Sequence, residues 1–216
     1  MADLVAGLDL GQARDYSGLV VVERLDVAPV RSFGRPTEER HVRHIERWAL
    51  GTPYPAIVER VCNLMQEPIM RQAKVVLDAT GVGRGIVDLF RDAHKDGLLP
   101  NWPVPVTITA GIEAVGFHVP KRDLVARLQA LVQTERLRIA EGLPLADVLT
   151  RELLAFRAKI SAAGRDTYEA MRESDHDDLV VALALACWYP GNPNERRFIN
   201  RYGRTFESMQ LAEEGP

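Results

Sequence analysis

Cysteine is scarce in this sequence. Cys62 and Cys187 are the only two, each inside an apolar helical pattern and neither in a CxxC pair. That excludes a disulfide framework and argues against a zinc site, leaving two buried free thiols of a reducing compartment. Long apolar runs are missing as well. No stretch reaches the roughly 18 residues needed to span a bilayer, and the longest, Leu179 to Trp188, suits a buried helix. The start, Met1-Ala2-Asp3-Leu4-Val5, has no basic stretch ahead of an apolar one, so no signal peptide is expected. An excess of positive charge is absent too. With 27 Lys and Arg against 30 Asp and Glu, the net charge is −3, which does not advertise a nucleic-acid binder.

What is present is enough apolar material for one sizeable core: 46% of 216 residues are hydrophobic and 26% charged, the balance of a globular domain. The expected organisation is one domain over 1–189 and a poorly ordered tail over 190–216, where Gly, Pro, Asn and charge dominate. Charge is distributed unevenly. Lys121 to Arg172 holds ten Lys and Arg against seven Asp and Glu, while Glu173 to Pro190 holds four acids and no base. An acidic cluster beside a mildly basic region suits metal and phosphate chemistry, although solvated helix faces give similar counts.

The apolar run Val5 to Leu10 predicts a buried strand, and the β-branched Gly18 to Leu25 a second, with a turn between them. Residues 29–37 read as a loop and Arg40 to Leu50 as a third strand. Thr52-Pro53 opens a helix to about Met70, with Ile57, Val61, Leu64 and Met65 on one face. Lys74 to Asp78 is a fourth strand, Gly85 to about Asp96 a helix, and Val104 to Thr109 a fifth strand. Pro120 to Thr134 is an amphipathic helix, Arg136 to Ala140 a short strand, and Leu145 to about Phe156 a helix. Residues 157–171 read as a hairpin around Gly164, and Asp177 to Trp188 as the last helix. Three strands in series, followed by alternating strands and helices, predict an α/β fold. Its mixed central sheet is antiparallel over the first three strands and then parallel, flanked by helices, in the order of the RNase H-like fold.

Acids stand in this frame where acids are costly. Asp9 lies within an apolar strand, Asp78 ends another, and Asp177 and Asp178 open a nearly all-apolar helix. Carboxylates a few Å apart repel by roughly 1 kcal/mol in water and about 4 kcal/mol at an effective dielectric of 20. A shared cation compensates, and hard oxygen ligands suit Mg²⁺ or Mn²⁺. Two such ions, about 3.5–4 Å apart, activate a water and stabilise the leaving oxygen in phosphodiester cleavage. Asp9, Asp78, Asp177 and Asp178 are therefore the candidate catalytic and metal-ligating residues, with Asp9 the natural bridge. Each also has a plainer role open to it: Asp9 and Asp78 as acceptors for the next turn, Asp177 or Asp178 as a helix N-cap.

The run Ser174-Asp175-His176-Asp177-Asp178-Leu179-Val180-Val181-Ala182-Leu183-Ala184 resembles the final motif of bacteriophage large terminase nuclease domains. Gly7-Leu8-Asp9-Leu10-Gly11 resembles their first strand, and Val76-Leu77-Asp78-Ala79-Thr80-Gly81 their second acidic motif. The likeness covers roughly residues 4–189. It implies two-metal cleavage of double-stranded DNA during genome packaging, with Asp9, Asp78 and Asp177 or Asp178 as ligands. It places His176 beside them as a supporting or phosphate-contacting group; an exposed N-cap neighbour is the other reading. A packaging ATPase, a portal and a small terminase are implied as partners, and the cytoplasm of an infected bacterial host, or a prophage, as the setting.

A full large terminase also carries an ATPase, and this chain has no GxxxxGK[ST]. Gly81-Val82-Gly83-Arg84-Gly85 lacks the Lys-Ser/Thr of a phosphate loop, so an isolated nuclease domain is expected, either excised or separately encoded. A Holliday-junction resolvase offers the same chemistry on a different DNA. An actin-like ATPase or sugar kinase shares the Gly7–Gly11 pattern but needs a second glycine-rich motif and a second domain. Lys121, Arg122, Lys159 and Arg165 are the candidate phosphate contacts; a solvated surface role is open to each.

Overall fold

A computed structural model of the chain describes residues 3–11, 15–27, 37–80, 84–111, 117–163 and 177–189. It contains seven strands and five helices among those residues: β1 (Asp3–Asp9), β2 (Ser17–Val27), β3 (Thr37–Trp48), α1 (Tyr54–Gln66), β4 (Lys74–Asp78), α2 (Arg84–Lys95), β5 (Val104–Thr109), β6 (His118–Pro120), α3 (Lys121–Gln133), β7 (Leu137–Ile139), α4 (Ala146–Ala163) and α5 (Asp178–Trp188). The strands form one sheet in the order β6-β5-β4-β1-β2-β3-β7. β1, β2 and β3 pair antiparallel. β4 adds parallel to β1, β5 to β4, β6 to β5 and β7 to β3. This is the RNase H-like mixed sheet that the element order predicts.

The period-2 alternation of each strand sorts its side chains into two layers. Leu4, Ala6, Leu8, Leu19, Val21, Val75 and Leu77 face α1 and α2. Val5, Val20, Val22, Ile45, Val76, Val104 and Val106 face α3, α4 and α5. α5 is apolar nearly all round, and every residue from Leu179 to Cys187 except Val181 is buried. A helix of that composition belongs between other elements, and α5 lies across β1 and β2 with α3 and α4 against it. Gly7 permits this close approach: a Cβ there would stand 1.9 Å from the Ala182 carbonyl oxygen and 2.8 Å from the Ala186 nitrogen.

Two sequence expectations are corrected. Residues 157–163 continue α4 rather than entering a hairpin; the segment Arg157-Ala158-Lys159-Ile160-Ser161-Ala162-Ala163 is rich in helix formers, and that local preference outweighs the turn signal of Gly164. The remainder of the expected hairpin, 164–171, lies outside the described residues, as does the tail from 190. The strand β6 was not expected, because three residues ending in proline carry no period. It exists by adding to the β5 edge, where Val119 is fully buried. Cys62 and Cys187 are both buried and free, and burial pushes the Cys187 thiol up to about 12. No helix among the described residues is long and apolar enough to cross a membrane.

Candidate active site

The parallel strands β1, β4, β5 and β6 all end at one edge of the sheet. β3 ends there as well, and β2 begins there, because β2 runs antiparallel to its neighbours; β7 runs in the same direction as β3 but stops level with Val42. Leu8 is level with Leu77 in the β1–β4 pair, so Asp9 and Asp78 occupy the next rung. Asp9 is level with Gly18 across β1–β2, and Gly18 with Arg47 across β2–β3. The edge therefore carries one cross-sheet row: Asp78, Asp9, Gly18, Arg47. Alternation places the row on the α5 face, since Val76, Val5, Val20 and Ile45 share that layer. Neighbouring strands are about 4.8 Å apart, which sets the lateral spacing of the row.

The missing side chain at Gly18 leaves room for the N-terminus of α5. A Cβ on Gly18 would stand 3.0 Å from Asp178 Oδ2 and 3.1 Å from the Asp178 carbonyl carbon and oxygen. Asp178 is thus set down over Gly18, between Asp9 and Arg47. Asp177 occupies the N-cap position, and its carbonyl accepts the Val181 N–H at 2.9 Å. Its side chain makes no capping hydrogen bond, so the capping role open to it from sequence is not taken up.

Electrostatics bind these acids into one unit. Burial pushes the Asp9 carboxyl well above the usual carboxylate range, and the charges of Asp78, Asp177, Asp178 and Asp15 push it further in that order. Oxygens crowded in this way, with no softer ligand among them, are a donor set for a hard divalent cation. They gather at the edge without closing on a point: among the described residues, no three His, Cys, Asp or Glu side chains are already arranged to enclose a metal ion. Asp78 has a further task. Its Oδ1 accepts the Thr80 N–H at 2.7 Å, and Thr80 Oγ1 in turn accepts the Ile108 N–H at 2.6 Å. The turn after β4 is thereby pinned to β5.

Sequence reasoning missed a cation beside the acids. Arg47 is mostly buried and grips Asp178 with two hydrogen bonds, Nε to Oδ2 at 2.8 Å and Nη2 to Oδ1 at 2.9 Å. The same Nη2 bonds to Glu152 of α4, and the guanidinium lies 5.1 Å over the Tyr16 ring. Burial opposes the charge of Arg47, but Asp178 and Glu152 hold its pKa above the usual guanidinium value. Glu152 is pushed up to about 7 by burial and by Asp178, against the pull of Arg47 and of the Leu179 backbone. The signal for Arg47 was its period-2 relation to Ile45 on the inward face. For Glu152 it was the three-residue step from the buried Leu149 along α4.

Gly11, two residues past the end of β1, is held through both its N–H and its carbonyl. The Gly11 N–H donates to Ser17 Oγ at 3.1 Å, and the Tyr54 hydroxyl donates to the Gly11 carbonyl at 2.9 Å. Lys121 and Arg122 open α3 directly after β6, which places them at the same sheet edge as Asp9 and Asp78. Arg122 also pairs with Asp123 at 3.6 Å. Lys159 lies on α4, but its side chain is outside the described residues, as are Arg165 and His176.

Comparison with known proteins supplies a family. The profile of the family described as Terminase RNaseH-like domain matches residues 6–189. Among solved structures, the human cytomegalovirus terminase nuclease domain soaked with Mn is similar at 12% identity and a TM-score of 0.48, covering 87% of this chain and 82% of that one. Thermus thermophilus RuvC is similar at 15% identity and a TM-score of 0.42, covering 93% and 96%. The fowlpox virus resolvase, in complex with Holliday junction DNA, follows at 10% identity and a TM-score of 0.35, covering 85% and 93%. No curated protein sequence matches.

Proposed function

This chain belongs to the terminase RNaseH-like domain family, and on that basis we propose that it is a metal-dependent endonuclease that hydrolyses double-stranded DNA. The observation that carries the reading is the gathering of Asp9, Asp78, Asp177 and Asp178 at one sheet edge, with the Asp9 carboxyl held far above its usual range by burial and by the other three. A cluster of this kind is costly unless a cation compensates it, and its all-oxygen donors fit Mg²⁺ or Mn²⁺. Two such ions, when bound, supply an activated water and charge stabilisation at the leaving oxygen.

The chain's own residues divide the remaining work. Asp9 lies on the central strand, flanked by Asp78 on one side and by the α5 N-terminus on the other, which suits it to serve both ions. Asp78 and the Asp177-Asp178 pair complete the oxygen set from either side. The partial positive charge at the start of α5 favours carboxylates there. Lys121 and Arg122, on the same edge, are suited to hold DNA phosphates beside the acids. Family membership supports a role in genome packaging, with a packaging ATPase, a portal and a small terminase as partners.

The test is cleavage of linear duplex, supercoiled plasmid and a synthetic four-way junction in Mg²⁺ and in Mn²⁺. The proposal expects both duplex forms to be cut with little sequence preference. Cleavage confined to the junction would instead assign a resolvase activity, and no cleavage of any substrate would contradict the nuclease reading.

A further inference from the structure

Of the four acids at the sheet edge, Asp178 differs from the rest in its surroundings. It is 4% exposed, whereas Asp9, Asp78 and Asp177 all keep part of their surface accessible. Both of its oxygens are engaged by one guanidinium, at 2.8 and 2.9 Å. A two-pronged Arg–carboxylate pair fixes orientation as well as charge. Arg47 is itself fixed on three sides, by Asp178, by Glu152 and by the Tyr16 ring. Gly18 completes the arrangement, because any side chain there would meet Asp178. The clasp therefore joins the end of β3, the start of β2, the middle of α4 and the first turn of α5.

We infer that Arg47 is a positioning residue: it holds Asp178 out of the metal's coordination shell and anchors the α5 N-terminus so that Asp177, rather than Asp178, supplies the third carboxylate beside Asp9 and Asp78. The inference rests on the nuclease reading and refines its ligand set. The backbone gives the reason. Asp177 and Asp178 are adjacent at a helix start, where successive side chains point about 100° apart. With both Asp178 oxygens turned toward β3 and bound there by Arg47, the adjacent Asp177, which keeps part of its surface accessible, is the carboxylate of the pair assigned to the metal. Arg47 is suited to this task and lysine is not, since a lysine offers one point charge in place of a planar fork.

Mn²⁺ binding by titration calorimetry, together with melting temperature in EDTA, tests this on the full 216-residue chain. Asp177→Asn is expected to lose a bound ion. Asp178→Asn is expected to keep the wild-type number of ions at reduced affinity. Arg47→Gln should weaken Mn²⁺ binding about 10- to 100-fold, the usual effect of removing a group that orients a metal ligand, and Arg47→Lys should recover only part of it. The pair Arg47→Gln with Asp178→Asn restores charge balance, so its melting temperature should recover relative to Arg47→Gln alone, while its Mn²⁺ affinity should not. If Arg47→Gln does not fold, Arg47→Lys and Asp178→Asn carry the comparison. Loss of an ion in Asp178→Asn, as in Asp177→Asn, would make Asp178 a ligand and overturn the inference. Wild-type affinity in the double variant would reduce the clasp to a structural contact. A wild-type chain that binds no Mn²⁺ would remove the nuclease reading and take the inference with it.

Discussion

Gly7→Ala should do far more damage than the addition of one methyl group suggests. The new Cβ would lie 1.9 Å from the Ala182 carbonyl oxygen, 2.9 Å from the Ala182 carbonyl carbon and 2.8 Å from the Ala186 nitrogen. All three are backbone atoms, so no rotamer change relieves the clash. Restoring an ordinary contact of 3.4 Å at the oxygen requires α5 to retreat from β1 by about 1.5 Å. Overpacking of a tight core costs typically 1–3 kcal/mol, and a backbone-to-backbone clash belongs at the upper end. At roughly 2–4 °C per kcal/mol for a chain of this size, a cost of about 3 kcal/mol lowers the melting temperature by roughly 6–12 °C. The same retreat carries Asp177 and Asp178 away from Asp9, so metal-supported cleavage should fall by more than the loss of folded protein explains. Gly85→Ala is the internal control. It adds a Cβ with nothing within 4 Å, on a helix, where alanine is favoured over glycine by about 1 kcal/mol. Calorimetric melting of both variants in EDTA is the assay. Equal melting temperatures for Gly7→Ala and wild type would refute the close packing of α5 on β1.

Three further outcomes are expected. Asp9→Asn should be more stable than wild type in EDTA at neutral pH, by on the order of 1 kcal/mol. The Asp9 pKa is raised in the folded state, so its ionisation costs stability as pH climbs through that value, and the advantage of the variant should vanish in acid; a pH series of melting temperatures checks both. Glu152 titrates from 4.5 when unfolded to about 7 when folded, so its contribution is fully present below pH 4.5 and is lost as pH rises through 7. Glu152→Gln should flatten that fall, which amounts to a few kcal/mol, and an unchanged pH dependence in urea titrations would count against the raised pKa. The quadruple variant Lys121→Ala, Arg122→Ala, Lys159→Ala and Arg165→Ala should bind duplex DNA more weakly and with a shallower dependence on salt; fluorescence anisotropy with the wild-type salt slope would remove these four as phosphate contacts.

The sheet was legible because its signals are local and repeated. Val5-Ala6-Gly7-Leu8-Asp9 and Val75-Val76-Leu77-Asp78 are short apolar runs ending in an acid, and the topology rules of α/β folds set them side by side. That alone brings Asp9 level with Asp78. The Arg47 clasp was not legible in the same way, because its members come from four elements and meet through Gly18, a residue whose role is to be absent. Arg47 is one charge among several in the Arg40 to Leu50 run, and the pairing of β3 with β2 shifts register between the partners of Val21 and Val22. The end of α4 was misjudged for a different reason. Glycine is a strong local punctuator, but it does not end a helix seven residues ahead of its own position.

The central claim is that this acidic edge works through divalent metal, and cleavage of supercoiled plasmid by the purified chain, with and without chelator, tests it most directly. Nicked and linear products should accumulate in Mg²⁺ or Mn²⁺, disappear in EDTA, return when the metal is restored, and be absent from Asp9→Asn under every condition. Plasmid cleavage that persists undiminished in EDTA, or in Asp9→Asn with metal present, would contradict it.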